Sequence, residues 1–143
     1  MAFVLEFDLD ALERPKRKPK VRVGKSRPDA PSEREVQRQI VRGLRKLGMI
    51  VHHSPNGAHL AGDSWSRMKQ SAALKADGCM DGFPDLIVLS AGRCCLIEVK
   101  REGGALSDDQ VRFADACNRS FVPCFAVCSL DMALDKLRGL GWL

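Results

Sequence analysis

The chain predicts one α/β domain with a mixed β-sheet and helices on both of its sides. Three observations carry that expectation. Residues 82–100 hold two short Leu-, Ile- and Val-rich stretches joined around Ala91-Gly92, the pattern of a β-hairpin. Two serines, Ser32 and Ser107, each stand three residues before a Glu or Gln (Glu35, Gln110), the sequence sign of a capped helix start. Apolar spacing then alternates along the chain as helix, strand, (helix), strand, strand, helix, strand, helix.

The first helix is expected from Ser32 to about Leu47, with Val36, Ile40, Leu44 and Leu47 turned inward and Gly48 as its stop. Residues 49–53 read as a strand, and residues 54–63 as a loop punctuated by Pro55, Asn56-Gly57 and Gly62. Residues 65–77 read as a helix with Met68, Ala72, Leu74 and Lys75 partly inward and a basic side of Arg67, Lys69 and Lys75. That side either faces nucleic acid or is merely solvated. Pro84 suits the first position of a strand, where its missing N–H costs little. Residues 101–105 are expected to be a flexible connection. A helix follows from Ser107 to about Ser120 with Val111, Ala114, Cys117 and Asn118 inside. Residues 122–128 form a buried strand, and Ser129 caps a last helix carrying Leu130, Ala133, Leu134 and Leu137.

The central hairpin is where chemistry enters. If Ala91 and Gly92 are a two-residue loop, Ser90 faces Arg93 and Asp85 faces Glu98. Opposed residues share a face with Cβ atoms about 4.5–5.5 Å apart. Alternation puts Lys100 on that same face. Two carboxylates that close repel and call for a cation between them.

Charge is placed unevenly. Of the chain's 143 residues, the first 13 carry four acids (Glu6, Asp8, Asp10, Glu13) and no base, and residues 14–27 carry eight bases and no acid. Taking these from 18 acids and 23 bases leaves 14 and 15 in residues 28–143, so the net charge of +5 belongs to the tail. Residues 1–31 are therefore read as an acidic-then-basic flexible tail and residues 32–143 as the domain. Residues 1–13 are either a short docking segment or unfolded. The basic arm, with Arg17, Lys18 and Lys20, is either a mobile phosphate contact or a solvated linker or targeting signal, and DNA contact is the preferred reading.

Six cysteines without a Cys-x-x-Cys spacing, and histidines only at 52, 53 and 59, predict reduced, mostly buried thiols rather than a disulfide framework or a zinc site. No apolar run is long enough for a membrane span and the amino terminus lacks the order of a secretory signal, so an intracellular protein is expected. Tyr is absent and the six Phe fall mostly in apolar stretches, which leaves an RNA-binding reading without an aromatic platform.

Pro84-Asp85 followed by Glu98-Val99-Lys100 resembles the signature of the PD-(D/E)xK nucleases. Glu33 with Gln37, Gly78 and Gly82 before Pro84-Asp85-Leu86, and Ser107-Asp108-Asp109-Gln110 resemble the VRR-NUC branch of that superfamily, over roughly residues 32–143. The resemblance implies a restriction-endonuclease-like core and a DNA endonuclease that uses Mg²⁺ or Mn²⁺. It also implies a preference for branched DNA, such as four-way junctions, cut by a homodimer. It assigns catalysis to Asp85, Glu98, Lys100, Glu33 and Gln110, with metal ligands from Asp85, Glu98, Glu33 and the Val99 carbonyl.

Two of these residues keep a second reading. Glu33 is either a site acid or a favourable charge at a helix amino end, and Gln110 is either a site residue or simply a cap. Asn56 and His53 are expected near the substrate, His53 standing where relatives carry a base, and Arg67 and Lys75 complete the expected DNA contacts. A noncatalytic DNA-binding module that keeps the nuclease fold is the competing function.

Overall fold

The computed structural model describes residues 20–55 and 60–143. Arg17, Lys18 and Asn56, and the reading of residues 1–13, lie outside the described residues. The elements run β1 (Arg22–Val23), α1 (Glu33–Lys46), β2 (Ile50–His53), α2 (Ser64–Ala76), β3 (Leu86–Ser90), β4 (Arg93–Val99), β5 (Gly104–Ala105), α3 (Asp108–Arg119), β6 (Cys124–Val127) and α4 (Leu130–Gly139). Four strands form the main sheet in the order β2-β3-β4-β6, with the first two pairs antiparallel and β4 parallel to β6. This is the mixed sheet expected of a restriction-endonuclease-like core.

The β3–β4 hairpin sets everything else. Ala91 and Gly92 both take positive φ (48° and 74°), the turn whose backbone twist matches that of the strands it joins. Ser90 consequently pairs with Arg93, and the ladder runs to Leu86 opposite Ile97. Leu86, Val88, Cys95, Ile97 and Val99 point to one face. There they meet Val36, Ile40 and Leu44 of α1 and Ala133 and Leu137 of α4 in a single core. Leu96 and Glu98 point to the other face, opposite Cys124 and Ala126 of β6, and α3 covers that side.

Both capping boxes are complete, Ser32 with Glu35 on α1 and Ser107 with Gln110 on α3. Leu47 does not join the α1 stripe. It is the C-cap, where the chain leaves helical geometry, and is 53% exposed. Asn118 is also not an inner residue of α3. It lies exposed and exchanges two 3.0 Å bonds with the backbone of Cys124, satisfying the edge strand β6. Ala116 is instead the buried residue of α3.

Two segments depart further from expectation. No residue of α2 is buried; Met68, Ala72 and Leu74 are exposed, because among the described residues no element packs closely against them. The helix is held by its own ends, through Asp63 capping the Ser66 N–H and Gln70 bonding the Ala61 carbonyl.

Conversely, the last part of the supposed arm is packed, and so is the connection after Lys100. β1 pairs antiparallel with β5. Gly103 N–H donates to Val23 O, Leu106 N–H to Val21 O, and Arg22 Nη1 to Gly103 O. Val23 is 5% exposed. Alternating Val21-Arg22-Val23 supplies one apolar side chain to bury, which charge counting alone hides.

All six cysteines are free, three of them buried, and burial pushes the Cys95 and Cys124 thiols up to about 12. Among the described residues, no helix is long and apolar enough to cross a membrane.

Candidate active site

The open end of the hairpin is built around an interruption in its ladder. One step beyond Leu86–Ile97 the register sets Asp85 opposite Glu98, and a second step would set Pro84 opposite Val99. Proline keeps a carbonyl there but has no N–H to give the Val99 carbonyl. The Val99 N–H donates to Asp85 Oδ2, at 2.8 Å. One carboxylate is thereby fixed by the backbone of the strand that carries the other. The Asp85 carbonyl is fixed as well, accepting Ser54 N–H at 2.7 Å and contacting His53 Nδ1 at 3.0 Å. That contact needs the proton on Nδ1 and leaves Nε2 as the outward nitrogen of an exposed ring.

Glu98 is buried, at 6% exposure, and one of its oxygens is doubly partnered. Its Oε1 accepts from Lys100 Nζ at 2.9 Å and from Gln110 Nε2 at 2.5 Å. Gln110 therefore caps α3 and bonds Glu98 at once, because its own Oε1 accepts the Ser107 N–H in the capping box. Gly82 makes this convergence possible. Its φ is +75°, and a Cβ there would come within 2.7 Å of the Asp109–Gln110 backbone. The loop before Pro84 can lie against the first turn of α3 only without a side chain at that point.

Glu33, the first residue of α1, reaches the same end of the sheet and accepts weakly from the Arg101 N–H at 3.4 Å. It is the third acid of the group, felt electrostatically by both Asp85 and Glu98.

The electrostatics follow from this crowding. Burial pushes the Glu98 carboxyl up to about 7; the Lys100 bond opposes that, while Asp85 and Glu33 add to it. Burial likewise raises Asp85, against the pull of the Val99 N–H, Lys100 and His53. Desolvation and like charge disfavour the charged form of both carboxyls, which a nearby cation would offset.

Among the described residues, no three His, Cys, Asp or Glu side chains are grouped tightly enough to enclose a metal ion by themselves. The donor set is smaller: Asp85 and Glu98 each have one oxygen, Oδ1 and Oε2, outside the bonds just given, with the Val99 carbonyl next to Glu98 in the chain. Mg²⁺ is usually held by one or two carboxylates, with waters and substrate phosphate completing an octahedron. The residues present fit an ion of that kind.

Outside the hairpin, the expected DNA contacts are scattered. Lys20 and Arg67 are exposed, while Lys75 is engaged with Asp81 at 2.7 Å. Sequence reading missed the Asp85–Val99 bond, for which the register that sets Asp85 opposite Glu98, one residue before Val99, was the available signal. It also missed the β1–β5 clasp beside Lys100.

No curated protein and no solved structure matches the chain. A family model described as VRR-NUC domain matches residues 31–130. That span contains both capped helix starts and the whole hairpin with Asp85, Glu98 and Lys100. VRR-NUC is a nuclease domain whose substrate is DNA, and with most of its length inside that match the chain belongs to the VRR-NUC family.

Proposed function

We propose that the chain is a DNA endonuclease that hydrolyses phosphodiester bonds with Mg²⁺ or Mn²⁺. The observation that carries this reading is the meeting of Asp85, Glu98 and Lys100 at one hairpin end, with Gln110 locking the Glu98 carboxylate. Asp85, Glu98 and the Val99 carbonyl would hold the ion, and Glu33 would reach a second one directly or through water. A bound divalent ion supplies positive charge against the scissile phosphate and makes a water it holds more acidic. Lys100, its Nζ tethered to Glu98 Oε1, orients the attacking water and offsets charge developing on the phosphate. Gln110 keeps Glu98 in one rotamer, and the Val99 N–H does the same for Asp85. Lys20, Arg67 and His53, with Arg17, Lys18 and Asn56, are the DNA contacts of this reading.

The substrate we propose is branched DNA, such as a four-way junction, cut by a homodimer whose two-fold axis matches a symmetric substrate. The family resemblance supports the choice. Ile50 and Leu89, paired across β2 and β3 and 66% and 40% exposed, offer an apolar patch to a second copy.

The test is purified protein on labelled junction, flap and linear duplex, with Mg²⁺, Mn²⁺ or chelator. Cutting should require the metal, favour the branched substrates over linear duplex and fall at least about 100-fold in Glu98→Ala and Lys100→Ala with DNA binding kept. Metal-independent cutting, or full activity in either variant, sinks the reading. Salt-sensitive binding without any cleavage would make the chain a noncatalytic module.

A further inference from the structure

Among the helices of the described residues, α2 alone has no buried residue. Thirteen residues stay helical with no buried side chain, and they expose Trp65 at 60% and Met68 at 58%. Large apolar side chains left on a surface helix call for an occupant. Charge says which kind. Within α2 stand Arg67, Lys69 and Lys75 and no acid. The flanking Asp63 is spent on capping the Ser66 N–H, and Asp81 is spent on Lys75. The bases left near Trp65 are Arg67 and Lys69, and Lys69 Nζ lies over the Trp65 ring, 5.0 Å from its centre.

Topology says where the occupant runs. α2 leaves the sheet after His53 and returns at Asp85, and His53 contacts the Asp85 carbonyl. Both connections of the helix therefore spring from the end of the sheet that carries the candidate site. A 13-residue helix is about 20 Å long, close to the rise of six base pairs. Nucleic acid following α2 from its C-terminal end would pass Lys69 and Arg67 and then the Trp65 indole. An exposed aromatic beside cations is how proteins hold unpaired bases, since every base has a face to stack and every nucleotide a phosphate to neutralise. Duplex DNA offers its phosphates but keeps its bases stacked inside.

We infer that α2 is a single-strand platform, on which Trp65 stacks an unpaired base of the DNA substrate while Lys69 and Arg67 meet its phosphates. The inference deepens the endonuclease reading by giving a preference for DNA with unpaired bases beside the cut, and rests on it for the substrate. Its test does not need cleavage.

The chain has two tryptophans, and Trp142 packs against the core beneath Arg93. Trp142→Phe leaves Trp65 as sole reporter. In chelator, single-stranded oligonucleotide and a duplex with a single-stranded branch should quench Trp65 emission, and blunt duplex of the same sequence should leave it nearly unchanged. Trp65→Ala should weaken single-strand binding roughly tenfold or more, the loss of one base–aromatic stack, and Trp65→Phe should restore part of it. Equal quenching by blunt duplex, no quenching by any DNA, or unchanged single-strand affinity in Trp65→Ala overturns the inference. So does a change in the elution volume of DNA-free Trp65→Ala, which would make this face a subunit contact. Cleavage that ignores Glu98→Ala would sink the endonuclease reading while leaving the quenching result standing.

Discussion

Gln110 ties the start of α3 to Glu98: Nε2 donates to the buried carboxylate at 2.5 Å while Oε1 closes the capping box on the Ser107 N–H. One side chain thus serves fold and site, and two substitutions separate the uses. Gln110→Glu keeps a residue competent to cap but replaces the donor with a like charge facing Glu98. Gln110→Ala loses both. The expected outcome is a cost of about 1 kcal/mol in stability for Gln110→Ala, and for Gln110→Glu a cost that is small at pH 5 and grows as pH rises and the two carboxylates repel. Metal-dependent cutting should fall about 10- to 100-fold in both, the usual loss when a partner of a ligand is removed. Thermal melts beside cleavage rates check this; Gln110→Glu with wild-type cutting would reduce Gln110 to a cap.

Burial lifts Glu98 from 4.5 to about 7, so the folded chain favours its neutral form. A carboxyl raised by folding contributes stability that is fully present below pH 4.5 and lost as pH climbs through about 7, here up to about 3 kcal/mol. Asp85 is raised in the same direction and adds the same sign. In chelator the protein should therefore resist urea better at pH 5 than at pH 8. Glu98→Gln should flatten that profile, chiefly by gaining at pH 8. Added Mg²⁺ should stabilise wild type more at pH 8 than at pH 5, since ion and proton compete for the same oxygens. Urea midpoints across this range decide it, and a profile identical in wild type and Glu98→Gln removes the basis for a proton-loaded site.

Asp85 offers a cleaner separation of charge from structure. Its Oδ2 accepts the Val99 N–H just beyond the last paired residues of the ladder. Asp85→Asn can still accept that bond through its amide oxygen; Asp85→Ala cannot. We expect Asp85→Ala to lose about 1–3 kcal/mol from the orphaned N–H, and Asp85→Asn to lose much less. Both should lose the rise in melting temperature that Mg²⁺ gives wild type. Retention of that rise in Asp85→Asn would show that Asp85 holds no ion.

The hairpin was legible from residues because its signals are local. Ala91-Gly92 sets the turn, the turn sets the register, and register alone brings Asp85 across from Glu98. The helix starts were legible for the same reason, each box needing four residues. What stayed hidden depends on residues far apart in the chain. Nothing near Val23 tells that it pairs 81 positions on with Gly104, and nothing within α2 tells that among the described residues no element packs closely against Met68 or Leu74. Gln110 was read as a cap or a site residue because sequence reading assigns one bond at a time. An amide has two ends, and tertiary packing decides where the second one goes.

The β1–β5 clasp closes three residues after Lys100, so it fastens the segment on which that side chain depends. Val23 is its buried anchor at 5% exposure, while Val21 next to it is 51% exposed. Removing two methyl groups by Val23→Ala should cost about 1–2 kcal/mol, and Val21→Ala close to nothing. Trypsin gives a more direct readout, because Arg22 and Arg27 sit within the clasp and Lys20 at its edge. In wild type, cleavage after Arg22 should lag cleavage after Lys20, since the Arg22 backbone is held against Ala105. In Val23→Asp the two should converge, and metal-dependent cutting should drop as residues 101–106 loosen around Lys100. Equal cleavage at Arg22 in wild type and Val23→Asp would mean that the segment is a free arm after all, with no hold on the site.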